Sequence, residues 1–491
     1  MLLIPATKRM FCCESIGLSY ERTIKYHRWL GTILTILLGL HGLLYWWSWL
    51  IHGHWAAKAL PCINCSGKKS RKTWQNFHGA LAFFFCLIIQ LTSNRVFLKF
   101  SSYQWFYKLH HLGIAMILCS CLHYENLQLW LYPSLVFYCL HRSRSYFDRT
   151  TIPFVSCYEF VPGYIRLIVR HEHLSCGDFQ AGQFVYIRIP SISRLYWHPF
   201  SISTSPLRSD RLIKLDIRVG GKFTTELRNK IDMIHTVDID GYYGSGLDLN
   251  VQNLILIAGG IGATPLLGIL EHIVLQRKQR VSLRLPEKVI FIWVCHDIRL
   301  IHAWNELFSQ CGHDRSQVRL DLYCTGDMHE TENLVCTPPL KPQHGFFERS
   351  RQFDLLFTSL FVIVPLITFQ IWTILPVSWW IRRIGNPCSV VFGSVLAYFI
   401  TCTIGEKRHG RLNEYTSITS WDSDRVEQGF LKPCISSGRP NLKRQLEIWH
   451  DKKATSNAVV VSGPNEMVLE TESLCARLVP AVQLHVKSFQ L

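Results

Sequence analysis

The chain has 491 residues, of which 48% are hydrophobic, and a formal net charge of +17. Several apolar stretches approach or exceed the roughly 20 residues that cross a bilayer, which excludes a purely soluble protein. The basic residues are scattered beside these stretches and form no stripe interleaved with aromatic residues. Membrane flanks and anionic cofactors therefore explain the charge better than nucleic acid does.

The apolar stretches predict membrane helices on both sides of a long soluble segment. Four spans are predicted at residues 29–51, 77–91, 105–122 and 127–140, and two more at 355–380 and 387–405. Residues 142–351 contain no comparable run. The basic segment HRSRSYFDR follows the fourth span, so the soluble module is expected on the cytosolic side.

Two of the predicted membrane helices carry a histidine near each end. His27 and His41 are 14 residues apart in the first span, and His110 and His123 are 13 apart in the third. At about 1.5 Å per residue, each pair is separated by roughly 20 Å along its helix axis. This spacing suits two stacked haems, because a six-coordinate haem takes one imidazole on each face.

Helical geometry leaves alternatives open for these histidines. At about 100° per residue, 14 steps return to within roughly 40° of the starting face, whereas 13 steps end about 140° away. If His111 replaces His110, the 12 steps to His123 leave the two side chains about 120° apart around the helix. With either choice, the third span needs tilt or a local distortion to bring its histidines to one face. Histidines satisfied at the membrane interface are the alternative for either helix alone, and His78 is interpreted in this way.

Short alternating strands follow the fourth span. FVYIRI at 184–189 and KLDIRV at 214–219 alternate apolar and polar residues between glycine and proline turns, which predicts a small antiparallel barrel. Within it lie WHPFSIS at 197–203 and GGKFTTEL at 220–227.

A strand, a glycine turn and a helix come next. The buried run NLILIA is followed by GGIGATP at 259–265 and a helical pattern, which together form an anion site suited to a pyrophosphate. A later strand ends in SGP at 462–464, and SGRPNL at 437–442 places Arg439 where it can meet a phosphate. Ordinary strand-to-helix turns are the alternative for each motif taken singly.

The four histidines, HPFSIS, GGIGATP and SGP, in this order, resemble the ferric reductase and NADPH oxidase superfamily. PSISRLYWHPFSIS and IKYHRWLG are most similar to plant ferric-chelate reductases. The resemblance implies a multi-domain membrane protein with an α-helical transmembrane haem bundle over residues 1–145. An antiparallel β-barrel FAD domain would follow over 150–250. An α/β nucleotide-binding domain would occupy 251–491, interrupted by a transmembrane hairpin at about 353–405.

The resemblance also implies the cofactor ligands. The inner b-type haem would be bound by His27 and His110, and the outer one by His41 and His123. FAD would be held by His198, Pro199, Phe200, Ser201, Gly221 and Thr224, with Phe489 as a further candidate for stacking on the flavin. NADPH, or NADH, would be held by Gly259, Gly260, Gly262, Thr264, Pro265, Arg439, Ser462, Gly463 and Pro464.

The implied activity is electron transfer from NAD(P)H through FAD and two b-type haems across the membrane to a ferric chelate, a reaction of EC 1.16.1 type. A superoxide-generating NADPH oxidase and a non-catalytic truncated relative are the alternatives. The plasma membrane is the expected location and an organellar membrane the alternative. The sequence does not determine the oligomeric state.

Several residues depart from the pattern of the family. Ser462 stands where cysteine is usual, and Tyr242 where proline is common. His296 stands where relatives often carry arginine, which weakens the choice of NADPH over NADH. The family also has more membrane helices before the first haem helix.

The segment 52–73 is predicted to be an external loop because the spans alternate across the membrane. It contains the glycosylation sequon Asn64-Cys65-Ser66. Its basic residues conflict with the positive-inside rule, and they are Lys58, Lys68, Lys69, Arg71 and Lys72. Either the short N-terminus misleads the topology count, or the loop gathers anionic ferric chelates beside the outer haem.

Overall fold

The structure is a computed structural model that describes residues 20–63, 67–94, 97, 103–147, 149–152, 156–170, 179–194, 196–208, 210, 212–234, 236–244, 246–279, 285–312, 317–326, 351–409, 434–449, 456–478 and 482–487. The chain divides into two compact units. The first unites the residues before Ser145 with the segment Arg349–Asn413, and the second contains the rest. The sequon at 64–66 and Phe489 lie outside the described residues.

The first unit is helical in its described part, and helix labels follow chain order. Its helices are α1 (Tyr20–Ile51), α2 (Trp55–Ala59), α3 (Gly67–Thr92), α4 (Tyr103–His110), α5 (Leu112–His123), α6 (Leu127–Phe147), α11 (Arg351–Ile374) and α12 (Trp379–His409). Large apolar side chains of α1, among them Leu37, Leu44 and Trp47, are exposed. Lipid tails are as apolar as these side chains, so a helix of this kind is stable in a bilayer.

Four described segments are long and apolar enough to cross a membrane, and they are Thr23–Ile51, Gly67–Thr92, Trp105–His123 and Trp379–Thr401. The helix α6 covers the predicted span at 127–140 but is not among the four, and Ser359–Ile374 is a shorter apolar helix. A transmembrane hairpin of α11 and α12 therefore stays a prediction. The helix α3 begins at Gly67, so the second half of the predicted loop at 52–73 is helical instead.

The second unit begins with antiparallel sheets. Its first strands are β1 (Arg149–Ile152), β2 (Ser156–Val161), β3 (Tyr164–Arg170), β4 (Phe184–Arg188), β5 (His198–Ser201), β6 (Leu212–Arg218) and β7 (Val237–Tyr243), with helix α7 (Lys222–Asn229). They form a four-stranded sheet of order β1-β7-β4-β5 and a three-stranded sheet of order β2-β3-β6. The antiparallel pairing is as predicted, whereas closure into a barrel stays a prediction.

A parallel sheet follows in the second unit. Its strands are β8 (Asn253–Gly259), β9 (Lys288–Cys295), β10 (Val318–Cys324), β11 (Ile435–Ser437), β12 (Asn457–Ser462) and β13 (Gln483–Val486), and its helices are α8 (Thr264–Gln279), α9 (Ile298–His302), α10 (Asn305–Gly312), α13 (Leu442–Trp449) and α14 (Asn465–Cys475). The strand order is β11-β10-β9-β8-β12-β13. Central strands such as β8 are buried along their whole length, because helices cover both faces of a parallel sheet.

The parallel sheet has one topological switch point. From β8 the chain builds outward through β9 and β10 to β11, and it then returns to the other side of β8 to add β12 and β13. The turns after β8 and β12 therefore face each other at the carboxyl edge of the sheet. Ligands of open α/β sheets bind in the crevice at this position.

Candidate functional site

The four predicted haem ligands meet in two pairs between α1 and the helices α4 and α5. The ring centroids of His27 and His110 are 6.1 Å apart, and their planes are inclined by 58°. The centroids of His41 and His123 are 6.3 Å apart, with an angle of 81°. The structure thus pairs the histidines in the combination that the resemblance implied.

These separations agree with coordination of one metal ion by two opposed imidazoles. A coordinating imidazole nitrogen lies about 2.0 Å from a metal such as zinc, and the ring centroid lies about 1.1 Å further out, so two opposed rings have centroids about 6.2 Å apart. For rings on a common axis, the angle between their planes is a rotation about that axis and leaves this distance unchanged. Both pairs therefore fit bis-imidazole ligation of a haem iron.

A break in the third span reduces the angular mismatch of its histidines. The helix α4 ends at His110 and α5 begins at Leu112. The amide of His111 donates to the carbonyl of Lys108, and the amide of Ile114 to that of His111, which are contacts of the tighter 3₁₀ type. Each 3₁₀ residue turns about 120° instead of 100°, so the break rotates His110 and His123 toward a common face.

His111 is not part of either pair. Its ring is exposed, and its Nδ1 lies 2.7 Å from the carbonyl oxygen of Tyr107. His110, in contrast, has a buried Nδ1 without a hydrogen bond in the described part of the chain. The choice between His110 and His111 that the sequence left open therefore favours His110.

The ring of His123 is fixed from two sides. Its Nδ1 lies 2.8 Å from the carbonyl oxygen of Gln75, and donation to that oxygen leaves Nε2 for a metal ion. A Cβ atom on Gly79 would lie 2.6 Å from the same Nδ1. Only glycine therefore fits beside the imidazole at this position of α3.

A buried arginine beside His123 was not predicted from the sequence. Arg383 of α12 has 5% of its side chain exposed and donates to Glu125, at 2.6 Å. It also donates to the carbonyl oxygen of Leu122, at 2.6 Å, and to the amide oxygen of Gln75 when that amide is turned toward it. The inserted helix α12 thus places a positive charge next to the backbone that carries His123. In the sequence, Arg383 appears only as an arginine near the start of an apolar helix. Ordinary arginines at the membrane interface show the same pattern, so the sequence does not single out Arg383.

The aromatic side chain of Phe223 connects the two groups of predicted flavin residues, which lie on β5 and at the start of α7. His198, Pro199, Phe200 and Ser201 form β5, which pairs with β4. Phe223 of α7 stacks on His198, with centroids 3.8 Å apart and planes inclined by 21°. This stacking connects HPFS to the start of α7, where an anion can meet the positive end of the helix dipole.

The loop before α7 is held by Thr224. Its hydroxyl oxygen lies 3.0 Å from the backbone nitrogens of both Gly220 and Gly221. A Cβ atom at either glycine would meet nothing within 4 Å. Gly221 and Thr224 therefore leave an open approach to the helix N-terminus.

The nucleotide motifs meet at the switch point of the parallel sheet. A Cβ atom on Gly262 would lie 2.7 Å from the carbonyl oxygen of Ser462, and one on Gly259 would lie 2.6 Å from Cδ of Pro464. Gly463 in turn approaches Gly259 with 3.1 Å between its hypothetical Cβ and the Cα of Gly259. The two turns therefore pack backbone against backbone, which explains their glycines.

Other contacts shape the glycine turn into a 3₁₀ helix over Gly260–Ala263. Gly260 has a φ of 55°, a value that favours glycine. The hydroxyl of Thr264 donates to the carbonyl of Ile261, and the indole of Trp293 on β9 donates to the carbonyl of Gly260, at 2.9 Å. Trp293 is a supporting residue that sequence reasoning missed.

The remaining predicted nucleotide residues lie at the same edge of the sheet. Pro265 is the second residue of α8, where its missing N–H costs no helical bond. Arg439 is exposed in the turn after β11, next to Gly438, whose φ is 89°. β11 is three strands from β8, so Arg439 is not beside the glycine turn but further along the carboxyl edge.

The flavin and nucleotide segments are in direct contact within the second unit. A Cβ atom on Gly268 of α8 would lie 3.0 Å from the carbonyl oxygen of Ile202, which directly follows β5. Glu271, one turn further, is buried and accepts from the amide of Ser205 and from the guanidinium of Arg208. This close approach sets HPFSIS against the helix that follows the glycine turn.

Comparison with protein families agrees with this arrangement. Residues 1–121 match the ferric reductase like transmembrane component, 163–256 match an FAD-binding domain, and 251–476 match the ferric reductase NAD binding domain. A membrane unit with histidine pairs, followed by flavin- and nucleotide-binding domains, defines a membrane oxidoreductase. The chain belongs to the ferric reductase and NADPH oxidase superfamily, as the sequence motifs predicted.

The individual relatives share only a quarter or so of their residues with this chain over the matched segments. Ferric reduction oxidase 7 of Arabidopsis thaliana, named chloroplastic, is 27% identical over 320 residues, which are 60% of this chain and 40% of that protein. Mouse NADPH oxidase 1 is 21% identical over 283 residues, which are 47% of each chain. The chain thus spans less than half the length of both relatives. Among solved structures, the CS-b5R domains of human Ncb5or match 38% of this chain and 54% of that chain at 17% identity, with a TM-score of 0.31.

A methyl group at Gly262 should separate the two turns of the nucleotide site. Gly262→Ala places its Cβ 2.7 Å from the Ser462 carbonyl oxygen, and such overpacking costs about 1–3 kcal/mol. We expect a lower melting temperature and at least about a tenfold higher KM for NAD(P)H in flavin reduction. Gly220→Ala, where a Cβ meets nothing within 4 Å, is the steric control. Equal behaviour of the two variants would contradict the packing argument.

The stability of the region around β5 should depend on pH through His198. Burial lowers the pKa of His198 to about 4, below its unfolded value of about 6.5. The unfolded chain therefore binds the proton more readily, so this contribution is complete above pH 6.5 and is lost as the pH falls toward 4. After allowance for solvent screening we expect a loss of about 1–2 kcal/mol.

Denaturant unfolding of the FAD-loaded protein between pH 7 and pH 4.5 tests this pH dependence. His198→Phe keeps a ring against Phe223 but removes the titrating group. Its unfolding free energy should fall less steeply with decreasing pH than that of the parent. Parallel curves for the two proteins would rule out His198 as the source.

Proposed function

We propose that the chain is an NAD(P)H-dependent ferric-chelate reductase of EC 1.16.1 type, with two b-type haems in its helical unit. The observation that carries this proposal is the two pairs of histidine rings, with centroid distances of 6.1 Å and 6.3 Å. The 14 residues between His27 and His41 put about 21 Å between the two sites along α1, most of the roughly 30 Å hydrocarbon core. Such spacing suits electron transfer across a membrane.

The residues of the second unit would hold the electron donor and the flavin. The glycine turn at 259–265 would hold the nucleotide pyrophosphate at the start of α8, and Ser462 would lie beside the nicotinamide. The segment His198–Ser201 would hold the flavin, and Gly221 with Thr224 its pyrophosphate. When bound, FAD takes two electrons as a hydride and releases them one at a time.

The overall reaction balances without a further reactant. One NAD(P)H supplies two electrons, which reduce two ferric ions to ferrous ions, and one proton is released on the nucleotide side. The four histidines would hold the two b-type haems, which would supply carriers for single electrons. NADH remains an alternative donor because His296 departs from the family pattern and Arg439 lies apart from the glycine turn.

The orientation and location follow from the same proposal. The basic segment at the C-terminal end of α6 would keep the second unit in the cytosol, with His27 and His110 toward that side. The plasma membrane is our proposed location. Organellar membranes are the alternative, because two similar plant proteins are named chloroplastic and mitochondrial.

Removal of one outer histidine should abolish transmembrane electron transfer but spare the flavin. In His41→Ala or His123→Ala, one haem loses an axial ligand. We expect about half of the dithionite-reduced b-type haem absorbance, no ferric-chelate reduction, and unchanged reduction of the flavin by NAD(P)H.

His111→Ala is the matched control for the inner pair. It should keep both haems and full activity, whereas His110→Ala should lose the inner haem, because only His110 faces His27. A parent protein without b-type haem bands would overturn the proposed function. Retained ferric-chelate reduction in His123→Ala would overturn the assignment of that ligand.

The serine at the nucleotide turn gives a further prediction. Ser462 ends β12 and is 4% exposed, at the position where relatives carry cysteine. We expect Ser462→Cys to raise the rate of flavin reduction on the order of twofold and Ser462→Ala to change it little, since nicotinamide and flavin carry the chemistry. Anaerobic stopped-flow absorbance measures this rate. A slower cysteine variant would show that the assumed role of this position is wrong.

A further inference from the structure

A cavity of about 830 Å³ opens between α3, α5 and α12 in the helical unit. The residues that line it include Lys68, Arg71, Trp74, His78, Leu122 and Trp379. Its volume lies within the range of about 300–1,000 Å³ that is usual for small-molecule sites. We call it the exit cavity, because it lies beside the ligand of the proposed outer haem.

The exit cavity is adjacent to His123 along the chain and through hydrogen bonds. Leu122, which lines it, directly precedes His123, and the Leu122 carbonyl accepts from Arg383. Trp74, which also lines it, precedes Gln75, whose carbonyl oxygen lies 2.8 Å from Nδ1 of His123. A molecule in the cavity would therefore be one layer of residues away from the outer pair of histidines.

The charge of the exit cavity is positive. Arg71 forms an ion pair with Glu125 at 3.0 Å, and the same carboxylate also accepts from Arg383. Lys68 lines the cavity and has no ion-pair partner among the described residues. One carboxylate is therefore shared by two arginines, and Lys68 together with the unused N–H groups of Arg71 remains available for an anion.

Two helix starts add to this positive potential. Lys68 and Arg71 lie in the first turns of α3, which begins at Gly67, and Trp379 is the first residue of α12. Helix N-termini carry partial positive charge and free N–H groups that suit anionic oxygens. The guanidinium carbon of Arg71 lies 5.3 Å from the ring centroid of Trp379, which holds the arginine at the cavity wall.

From these observations we infer that the exit cavity binds the carboxylate groups of an anionic ferric chelate, such as ferric citrate, next to the outer haem. This inference rests on the proposed function and adds to it the binding site of the electron acceptor. It also separates the basic residues of the segment 52–73 into those that line the cavity and those that do not. Lys68 and Arg71 line the cavity, whereas Lys69 and Lys72 of the same helix do not.

The propionate side chains of the outer haem also carry carboxylate groups, so they are the second ligand that the cations of the cavity could bind. A cavity that serves the haem would bind nothing once the haem is loaded. A cavity that serves the acceptor would stay available in the holoenzyme. The two sources therefore differ in haem retention and in ligand binding by the haem-loaded protein.

The test uses the haem-loaded full chain in detergent and gallium(III) citrate, a redox-inert analogue of ferric citrate. Calorimetric titration of the parent should show saturable binding. Lys68→Gln with Arg71→Gln should weaken this binding about tenfold and raise the KM for ferric citrate by a similar factor. The matched control, Lys69→Gln with Lys72→Gln, should change both values less than twofold. Lys68→Gln alone should weaken binding in the same direction if the double variant does not fold.

Three results would overturn the inference. Equal loss of binding in the control pair would indicate general electrostatic attraction and not a site. A loss of outer haem absorbance in Lys68→Gln with Arg71→Gln would assign the cations to the haem propionates. Absence of gallium citrate binding in the haem-loaded parent would exclude the site itself. Binding of gallium citrate without any reduction of ferric citrate would leave the cavity standing and reject the proposed function instead.

Discussion

Two imidazoles can bind the two faces of one haem iron only if their ring centroids are about 6 Å apart, and the helical unit holds two histidine pairs at this separation. It must be met twice, at positions 14 residues apart on α1 and 13 apart on the facing segment. A straight helix on both sides cannot satisfy both pairs. The break at His111 supplies part of the missing rotation, through two hydrogen bonds of the 3₁₀ type.

The same separation accounts for details of α3. This helix approaches the facing segment so closely that Gly79 has no room for a side chain, while the carbonyl of Gln75 orients the ring of His123. A buried cation, Arg383, completes this region from α12, a helix that arrives more than 200 residues later in the chain. Burial of a charge is costly unless it is paired and hydrogen-bonded. Its contacts with Glu125 and the Leu122 carbonyl meet that requirement for the two terminal nitrogens of the guanidinium, whereas Nε has no partner among the described residues.

In the second unit, the corresponding constraint is the close approach of backbones. Gly259, Gly262 and Gly463 pack where the turns after β8 and β12 meet, and Gly268 lets α8 lie against the chain after HPFS. A parallel sheet with a switch point brings these turns together whatever their distance in sequence. The nucleotide and flavin motifs are thereby adjacent in one unit.

The sequence by itself determined four of the six predicted membrane spans, the spacing of the histidines and the order of the motifs, because these depend on local composition and on the spacing of residues. The pairing of His27 with His110 was predicted from the resemblance, but the break that permits it was not, since two contacts of 3₁₀ type leave no strong local pattern. Arg383, Trp293 and the exit cavity were also missed. Each arises only when segments remote in sequence pack together, and periodicity within one helix or strand carries no information about such contacts.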